Sequence, residues 1–118
     1  MADTPEGKVK RKVSALLKAQ NRMYYEMPVP GGFGKTTLDY IGCHYGRFFA
    51  IETKAPGKKT TVRQNATIAM MQHAGAKVFV VDGPESMKPL EDWLTEGDWL
   101  TYEFDEEARG ETPEGPDE

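Results

Sequence analysis

Apolar residues recur at helical spacing near the start of the chain, with lysines and arginines between them. The repeating positions are Val9, Val13, Leu16 and Leu17. This pattern predicts an amphipathic helix over residues 5–21. Asp3 or Thr4 can cap the helix at its N-terminus, and Pro5 suits its first turn.

Three strand-like segments follow this helix, at residues 22–29, 36–43 and 47–54. His44, Tyr45 and Gly46 separate the second segment from the third, so these two are predicted to form a tight hairpin. A helix is expected next over 61–75, because Gly75 would terminate it.

The remainder of the chain begins with the apolar run KVFVVD at 77–82, which predicts a buried strand paired inside the sheet. A third helix is expected over 86–94 and an edge strand over 99–104. From residue 105 the chain is acidic and lacks apolar periodicity, which predicts disorder.

The order helix, three strands, helix, strand and trailing helix predicts an α/β fold, in which a mixed sheet is flanked by helices. The 118 residues are enough for one compact domain with a modest core. The chain therefore divides into one domain, 1–104, and an acidic tail, 105–118.

The formal net charge of −4 hides an uneven distribution. Residues 1–77 carry thirteen basic and five acidic side chains, a net charge of +8. Residues 78–118 carry two basic and fourteen acidic side chains, a net charge of −12. A basic body with an acidic tail is compatible with a polyanionic ligand, and equally with a solvated surface and a solubility tail.

Cys43 is the only cysteine, which excludes an internal disulfide, and its strand-like surroundings predict that it is buried. No apolar run approaches the roughly 20 residues that span a bilayer. The first residues of the chain do not resemble a secretory signal. We therefore expect an intracellular, cytoplasmic protein without a membrane partner.

Asp39, Glu52 and Lys54 form the most informative polar group. Glu52 and Lys54 are two positions apart on a strand, so their side chains point to the same face of the sheet. If the chain reverses in the middle of the hairpin, Asp39 lies opposite Ile51 or Glu52, with Cβ atoms roughly 5 Å apart. Two such carboxylates can share one hard cation such as Mg²⁺. The alternative is a cross-strand ion pair on a solvated sheet face.

The glycine-rich loop at 30–35 does not indicate a P-loop, and we expect no nucleotide cofactor. The first glycine that this motif requires would be at position 29, which is Val29, and a strand rather than a helix follows the loop. Lys35 in this loop is available to a phosphate of DNA, or the loop is a plain connector.

Asp39, followed after twelve residues by Glu-Thr-Lys, resembles the motif of the PD-(D/E)xK nucleases. The segment from Gly34 to Gly83 extends this likeness. It contains a glycine before the aspartate, an E-T-K-A-P segment, a glutamine early in the next helix and an A-G-A-K-V strand entry. This segment resembles the virus-type replication-repair nuclease domain, VRR-NUC. One departure is Leu38, which stands where the family usually has proline.

The resemblance implies a restriction-endonuclease-like αβββαβ core and hydrolysis of DNA phosphodiester bonds by metal-activated water. Asp39 and Glu52 would hold Mg²⁺, or Mn²⁺ as a substitute, helped by the backbone carbonyl of Thr53. Lys54 matches the catalytic lysine of the motif.

The resemblance also assigns roles to Gln64 and Glu6, and each has a structural alternative. Gln64 matches a glutamine near the active site of such nucleases, but Thr61 and Gln64 also fit a helix capping box. Glu6 stands where related nucleases hold an acidic metal ligand. An acidic residue near a helix N-terminus is also favourable without any metal.

Short stand-alone members of the family are associated with viral genomes. The resemblance therefore implies a phage-like homodimer, in a bacterial host, that cuts branched DNA as Holliday-junction resolvases do. Lys58, Lys59 and Arg63 follow the motif lysine and are predicted to contact DNA phosphates, unless they belong to a solvated turn. A non-catalytic DNA-binding module of the same fold and an RNA-directed nuclease are the competing functions.

Overall fold

The computed structural model describes residues 4–29 and 37–111, with side chains up to residue 97. In chain order its elements are α1 (Pro5–Lys18), β1 (Met23–Glu26), β2 (Tyr40–His44), β3 (Arg47–Thr53), α2 (Val62–His73), β4 (Lys77–Val81) and α3 (Pro84–Glu111). The predicted α/β class and element order are confirmed. Lys35 and the rest of the glycine-rich loop lie outside the described residues.

Helix α1 begins where the sequence predicts. The Oγ1 atom of Thr4 accepts a hydrogen bond from the amide of Gly7 at 2.9 Å, and Pro5 lies in the first turn. The helix ends at Lys18, three residues before the predicted end. Its buried residues are Val9, Val13 and Leu17.

The four strands form one mixed sheet in the order β1-β2-β3-β4. The first two pairings are antiparallel, and β3 pairs with β4 in parallel. The prediction that β4 lies inside the sheet is therefore wrong, because β4 is an edge strand. Both faces of β4 are apolar because both contact other elements. Phe79 and Val81 on one face join the core, and α2 packs near the other face, where Val80 stays 38% exposed.

The core lies between the sheet and the two helices α1 and α3. Its buried members are Val9, Val13, Leu17, Tyr40, Phe49, Ile51, Phe79, Val81, Leu90 and Leu94. The partly buried Trp93 of α3 stacks edge-on against the rings of Phe49 and Phe79, with centroid distances of 5.8 and 5.5 Å. This packing fixes α3 against β3 and β4.

The hairpin between β2 and β3 is tighter than the sequence predicts. Tyr45 and Gly46 have φ angles of 54° and 78°, which is the left-handed pair of a two-residue turn. His44 therefore belongs to β2, where it is buried and its Nε2 lies 3.2 Å from the carbonyl oxygen of Leu94. The neighbouring Cys43 points to the opposite face and is exposed, so the prediction that it is buried is wrong.

Helix α3 continues through residues 99–104, so the predicted edge strand is wrong. It also runs through 105–111, which the sequence assigns to a disordered tail, and 112–118 lie outside the described residues. Gly97, which could have ended the helix, lies inside it, at a position where a Cβ atom would collide with the guanidinium of Arg47. That guanidinium donates from Nη2 to the carbonyl oxygen of Trp93 at 3.1 Å.

None of the described helices combines the length and the apolar character that crossing a membrane requires.

Candidate active site

The antiparallel pairing of β2 with β3 brings the two motif carboxylates together at one end of the sheet. Tyr40 pairs with Ile51, so Asp39, which directly precedes β2, lies beside Glu52. The amide of Asp39 donates a hydrogen bond to Oε1 of Glu52 at 3.3 Å. This is the register that the sequence predicts for the hairpin.

Thr53 holds the carboxylate of Asp39 in a fixed orientation. Its amide and its hydroxyl both donate to Oδ2 of Asp39, at 2.8 and 2.6 Å. Thr53 is fully buried, so these bonds are shielded from water. Sequence reasoning assigned Thr53 only a backbone carbonyl and missed the hydroxyl, because its role depends on which carboxylate oxygen faces it.

Glu52 is a buried carboxylate, only 4% exposed, with a partner at each oxygen. Its Oε1 accepts from the amide of Asp39, and its Oε2 accepts from Nε2 of Gln64 at 2.7 Å. Burial and then the charge of Asp39 raise its pKa to about 7, although Lys54 opposes the rise. Near neutral pH this side chain is therefore divided between its charged and neutral forms.

Gln64 combines the two roles that the sequence leaves open. Its Oε1 accepts a hydrogen bond from the backbone amide of Thr61 at 2.9 Å. The backbone amide of Gln64 in turn donates to Oγ1 of Thr61 at 3.1 Å, which completes the capping box of α2. The other end of the same side chain donates to Glu52. The cap thus aims the Nε2 group of Gln64 at the carboxylate.

Helix α1 adds a third carboxylate and an ammonium to this end of the sheet. The Nζ atom of Lys10 lies 3.6 Å from Oε2 of Glu6 and 3.8 Å from Oδ1 of Asp39. The hydroxyl of Tyr40 donates to the carbonyl oxygen of Lys10 at 2.9 Å and lies 2.8 Å from the hydroxyl of Ser14. These bonds attach α1 to β2 next to the site.

Lys10 is a site residue that sequence reasoning missed. The signal available was its position four residues after Glu6 on a helix, which places both side chains on one face. That signal became meaningful only once Glu6 was placed beside Asp39.

Lys54 follows directly after β3 and is partly buried. Its amide donates to the carbonyl oxygen of Val81 at 2.9 Å, which continues the parallel pairing with β4. The alternation of side chains along the strand places Lys54 on the same face as Glu52. Its charge opposes the rise in the pKa of Glu52.

The predicted DNA-contacting residues Lys58, Lys59 and Arg63 are all exposed. The two lysines lie in a turn closed by a hydrogen bond from the amide of Lys58 to the carbonyl of Ala55 at 2.9 Å. Arg63 lies in the first turn of α2, next to Gln64. All three are therefore accessible near the carboxylate end of the sheet.

The donor set of this site is a pair of carboxylates. Within residues 4–29 and 37–97, no group of three or more histidine, cysteine, aspartate or glutamate side chains is arranged to hold a metal ion. Glu6, the predicted third acidic ligand, is joined to Asp39 through the ammonium of Lys10. Mg²⁺ is commonly held by one or two carboxylates, with water and substrate phosphate completing its shell. The carboxylates of Asp39 and Glu52 fit such a cation, although they do not surround it with protein ligands alone.

A separate cavity of about 550 Å³ lies between α1 and α3. Its lining consists of Pro5, Lys8, Val9, Lys12, Pro56, Val81, Gly83, Pro84, Met87 and Glu91. Pro5 and Pro56 stand close in sequence to Glu6 and Lys54, but the lining is mainly apolar and contains neither motif carboxylate. The chemistry therefore points to the carboxylate pair rather than to this cavity.

Comparison of the chain with protein-family models, with curated proteins and with solved structures finds no match. The resemblance to VRR-NUC nucleases stays a prediction from the motif residues of this sequence.

Proposed function

We propose that this protein is a divalent-metal-dependent endonuclease that hydrolyses DNA phosphodiester bonds. The observation that carries the proposal is the contact between Asp39 and Glu52 at the end of the sheet, with Lys54 on the same face as Glu52. An ion pair on a solvated sheet face accounts less well for this arrangement, because Glu52 is buried and its pKa is raised to about 7 by burial and by Asp39.

Asp39, Glu52 and the carbonyl oxygen of Thr53 are the groups that would hold Mg²⁺ or Mn²⁺. The bound cation would supply an activated water and neutralise charge on the phosphate. Thr53 keeps the Asp39 carboxylate oriented for this purpose, and Gln64 does the same for Glu52.

Lys54 is the residue that we assign to the reacting phosphate. An ammonium beside the carboxylate pair stabilises negative charge as it develops on the phosphate, or orients the attacking water. Lys58, Lys59 and Arg63, together with Lys35, would hold the neighbouring phosphates of the strand.

The finer features of the proposal concern the substrate and the assembly. The described residues of each chain form one such site, so two copies related by a twofold axis would cut both strands of a symmetric branched substrate. We therefore propose a homodimer acting on branched DNA such as a Holliday junction, inside a bacterial cell and encoded by a virus. Analytical ultracentrifugation tests the dimer independently of cleavage.

The experiment that tests the function compares linear, flap and four-way-junction DNA, each with Mg²⁺ or with EDTA. The variant Lys54→Ala is assayed beside Lys88→Ala, which removes an exposed lysine of α3 paired with Asp92 at 2.9 Å. We expect cleavage that requires metal, is lost in Lys54→Ala and is retained in Lys88→Ala.

Two other outcomes would replace the proposal. Junction binding without cleavage by the wild-type protein would indicate a non-catalytic DNA-binding module. Cleavage of RNA of matched sequence in preference to DNA, at the same salt concentration, would indicate an RNA-directed nuclease.

A further inference from the structure

Lys10 forms an ion pair with one of the two proposed metal ligands. Its ammonium is between two carboxylates, 3.8 Å from Oδ1 of Asp39 and 3.6 Å from Oε2 of Glu6. Thr53 occupies the other oxygen of Asp39, so Oδ1 is the oxygen that Lys10 neutralises. The ammonium therefore lies against the oxygen of Asp39 that would be offered to a divalent cation.

The backbone fixes this position while the side chain stays accessible. The Tyr40 hydroxyl binds the carbonyl oxygen of Lys10 and anchors that turn of α1 to β2. The side chain itself is 37% exposed, so it can leave the carboxylates without disturbing the core. A side-chain substitution at Lys10 removes the charge and leaves the backbone anchor in place.

We propose that Lys10 is an internal counter-ion that competes with the divalent cation for Asp39 and thereby lowers the affinity of the site for metal. This inference rests on the proposed function, because it takes Asp39 as a metal ligand. Two positive charges close to one carboxylate repel each other, so a cation entering at Oδ1 must displace the ammonium or bind beside it. In this role Lys10 is a positioning residue that acts through Asp39.

The test measures Mn²⁺ affinity directly, without DNA, from the paramagnetic resonance signal of the unbound ion. The variant Lys10→Met keeps the length of the stem and removes the charge, whereas Lys10→Arg keeps the charge. Lys12→Met is the matched control, because Lys12 is an exposed lysine on the same helix as Lys10. Its side chain lines the neighbouring cavity. Asp39→Asn removes the proposed ligand itself.

We expect Lys10→Met to bind Mn²⁺ about five- to tenfold more tightly than the wild type, the scale of a partly exposed charge pair. Lys10→Arg and Lys12→Met should stay within about twofold of it. The gain in Lys10→Met should shrink as salt is added, because salt screens the competing charge. A purely structural role for Lys10 would give the opposite result, since loss of a supporting side chain weakens a binding site.

Failure of the inference and failure of the proposed function are distinguishable. If the wild type binds Mn²⁺, Asp39→Asn does not, and Lys10→Met binds no more tightly than Lys12→Met, only the counter-ion role is overturned. If the wild type and Asp39→Asn bind Mn²⁺ equally, the metal site itself is absent, and both the inference and the proposed function are overturned.

Discussion

The carboxyl group of Glu52 links the chemistry of the site to the stability of the fold. Its pKa is raised from 4.5 to about 7, first by burial and then by the charge of Asp39. The folded state therefore holds this proton to a higher pH than the unfolded state does. The stabilisation from the protonated carboxyl is complete below about pH 4.5 and is lost as the pH rises through about 7.

Replacing Glu52 with glutamine should remove this pH dependence. From about pH 5 to about pH 8, the unfolding free energy of the wild type should fall by about 1–2 kcal/mol more than that of Glu52→Gln, after allowance for solvent screening. Chemical denaturation at both pH values measures the difference. Glu96→Gln, at an exposed position of α3, is the control and should show no such change. An equal effect of Glu52→Gln at both pH values would contradict the raised pKa.

Gln64 allows its capping role to be separated from its contact with Glu52. Thr61→Ala removes only the capping bond that the Thr61 hydroxyl accepts, whereas Gln64→Ala removes the reciprocal capping bond and the hydrogen bond to Oε2 of Glu52. Both variants should lose about 1 kcal/mol of unfolding free energy. Only Gln64→Ala should lower the rate of metal-dependent DNA cleavage, by about 10- to 100-fold, because it frees a proposed metal ligand. Equal cleavage rates in the two variants would leave Gln64 as a cap alone.

At the residue level, the sequence predicts the pairing of Asp39 with Glu52 because hairpin register follows from strand length and turn position. It does not predict Lys10 or the hydroxyl of Thr53. Their contacts depend on how α1 packs against β2 and on side-chain orientations that no local pattern determines. The residues missed are therefore those that act across elements.

Among the elements, the β2–β3 hairpin holds the two motif carboxylates, and α1 brings Glu6 and Lys10 beside them. The attachment of α1 to the sheet includes the hydroxyl of Tyr40, which contacts Lys10 and Ser14. Tyr40 is fully buried, so loss of its hydroxyl leaves the part-buried carbonyl oxygen of Lys10 without that donor.

Tyr40→Phe should therefore loosen this attachment. We expect a loss of about 1–2 kcal/mol of unfolding free energy. The control Tyr24→Phe removes the hydroxyl of an exposed tyrosine that bonds to Glu26, and should change stability by less than about 0.5 kcal/mol. Urea denaturation of the two variants beside the wild type measures both values. Equal losses would show that the hydroxyl of Tyr40 does not hold α1.

The boundaries of the elements show where tertiary packing overrides the local sequence pattern. The sequence predicts a strand over 99–104, where apolar and polar residues alternate from Leu100 onward, but this segment continues α3. No proline lies between Leu94 and this segment, and the guanidinium of Arg47, which is distant in sequence, occupies the space that a side chain at Gly97 would need. Similarly, β4 has the composition of an interior strand although it lies at the edge, because β4 is contacted by α2 and α3 in addition to its neighbouring strand β3.

Charge is the property of the whole molecule that bears on DNA binding. Residues 1–77 are net positive, and two of their exposed lysines, Lys58 and Lys59, lie in the turn just after Lys54. Lys77 is also exposed but begins β4, where it pairs with Phe49. Val81, at the carboxylate end of the sheet, is four positions along the strand from Lys77, a distance of about 13 Å. The two ends of the sheet thus offer matched lysines near the site and away from it.

The double variant Lys58→Ala and Lys59→Ala should bind DNA more weakly than the wild type. Each lost phosphate contact should reduce the slope of log affinity against log salt concentration by about one, so the pair should reduce it by about two. Lys77→Ala should leave the slope close to that of the wild type. Fluorescence anisotropy with labelled junction DNA, in EDTA and over a range of salt concentrations, measures the slopes without cleavage. If Lys77→Ala reduced the slope as much per lysine as the double variant does, DNA would be held by the general positive charge of residues 1–77 and not by the end of the sheet that carries Asp39 and Glu52.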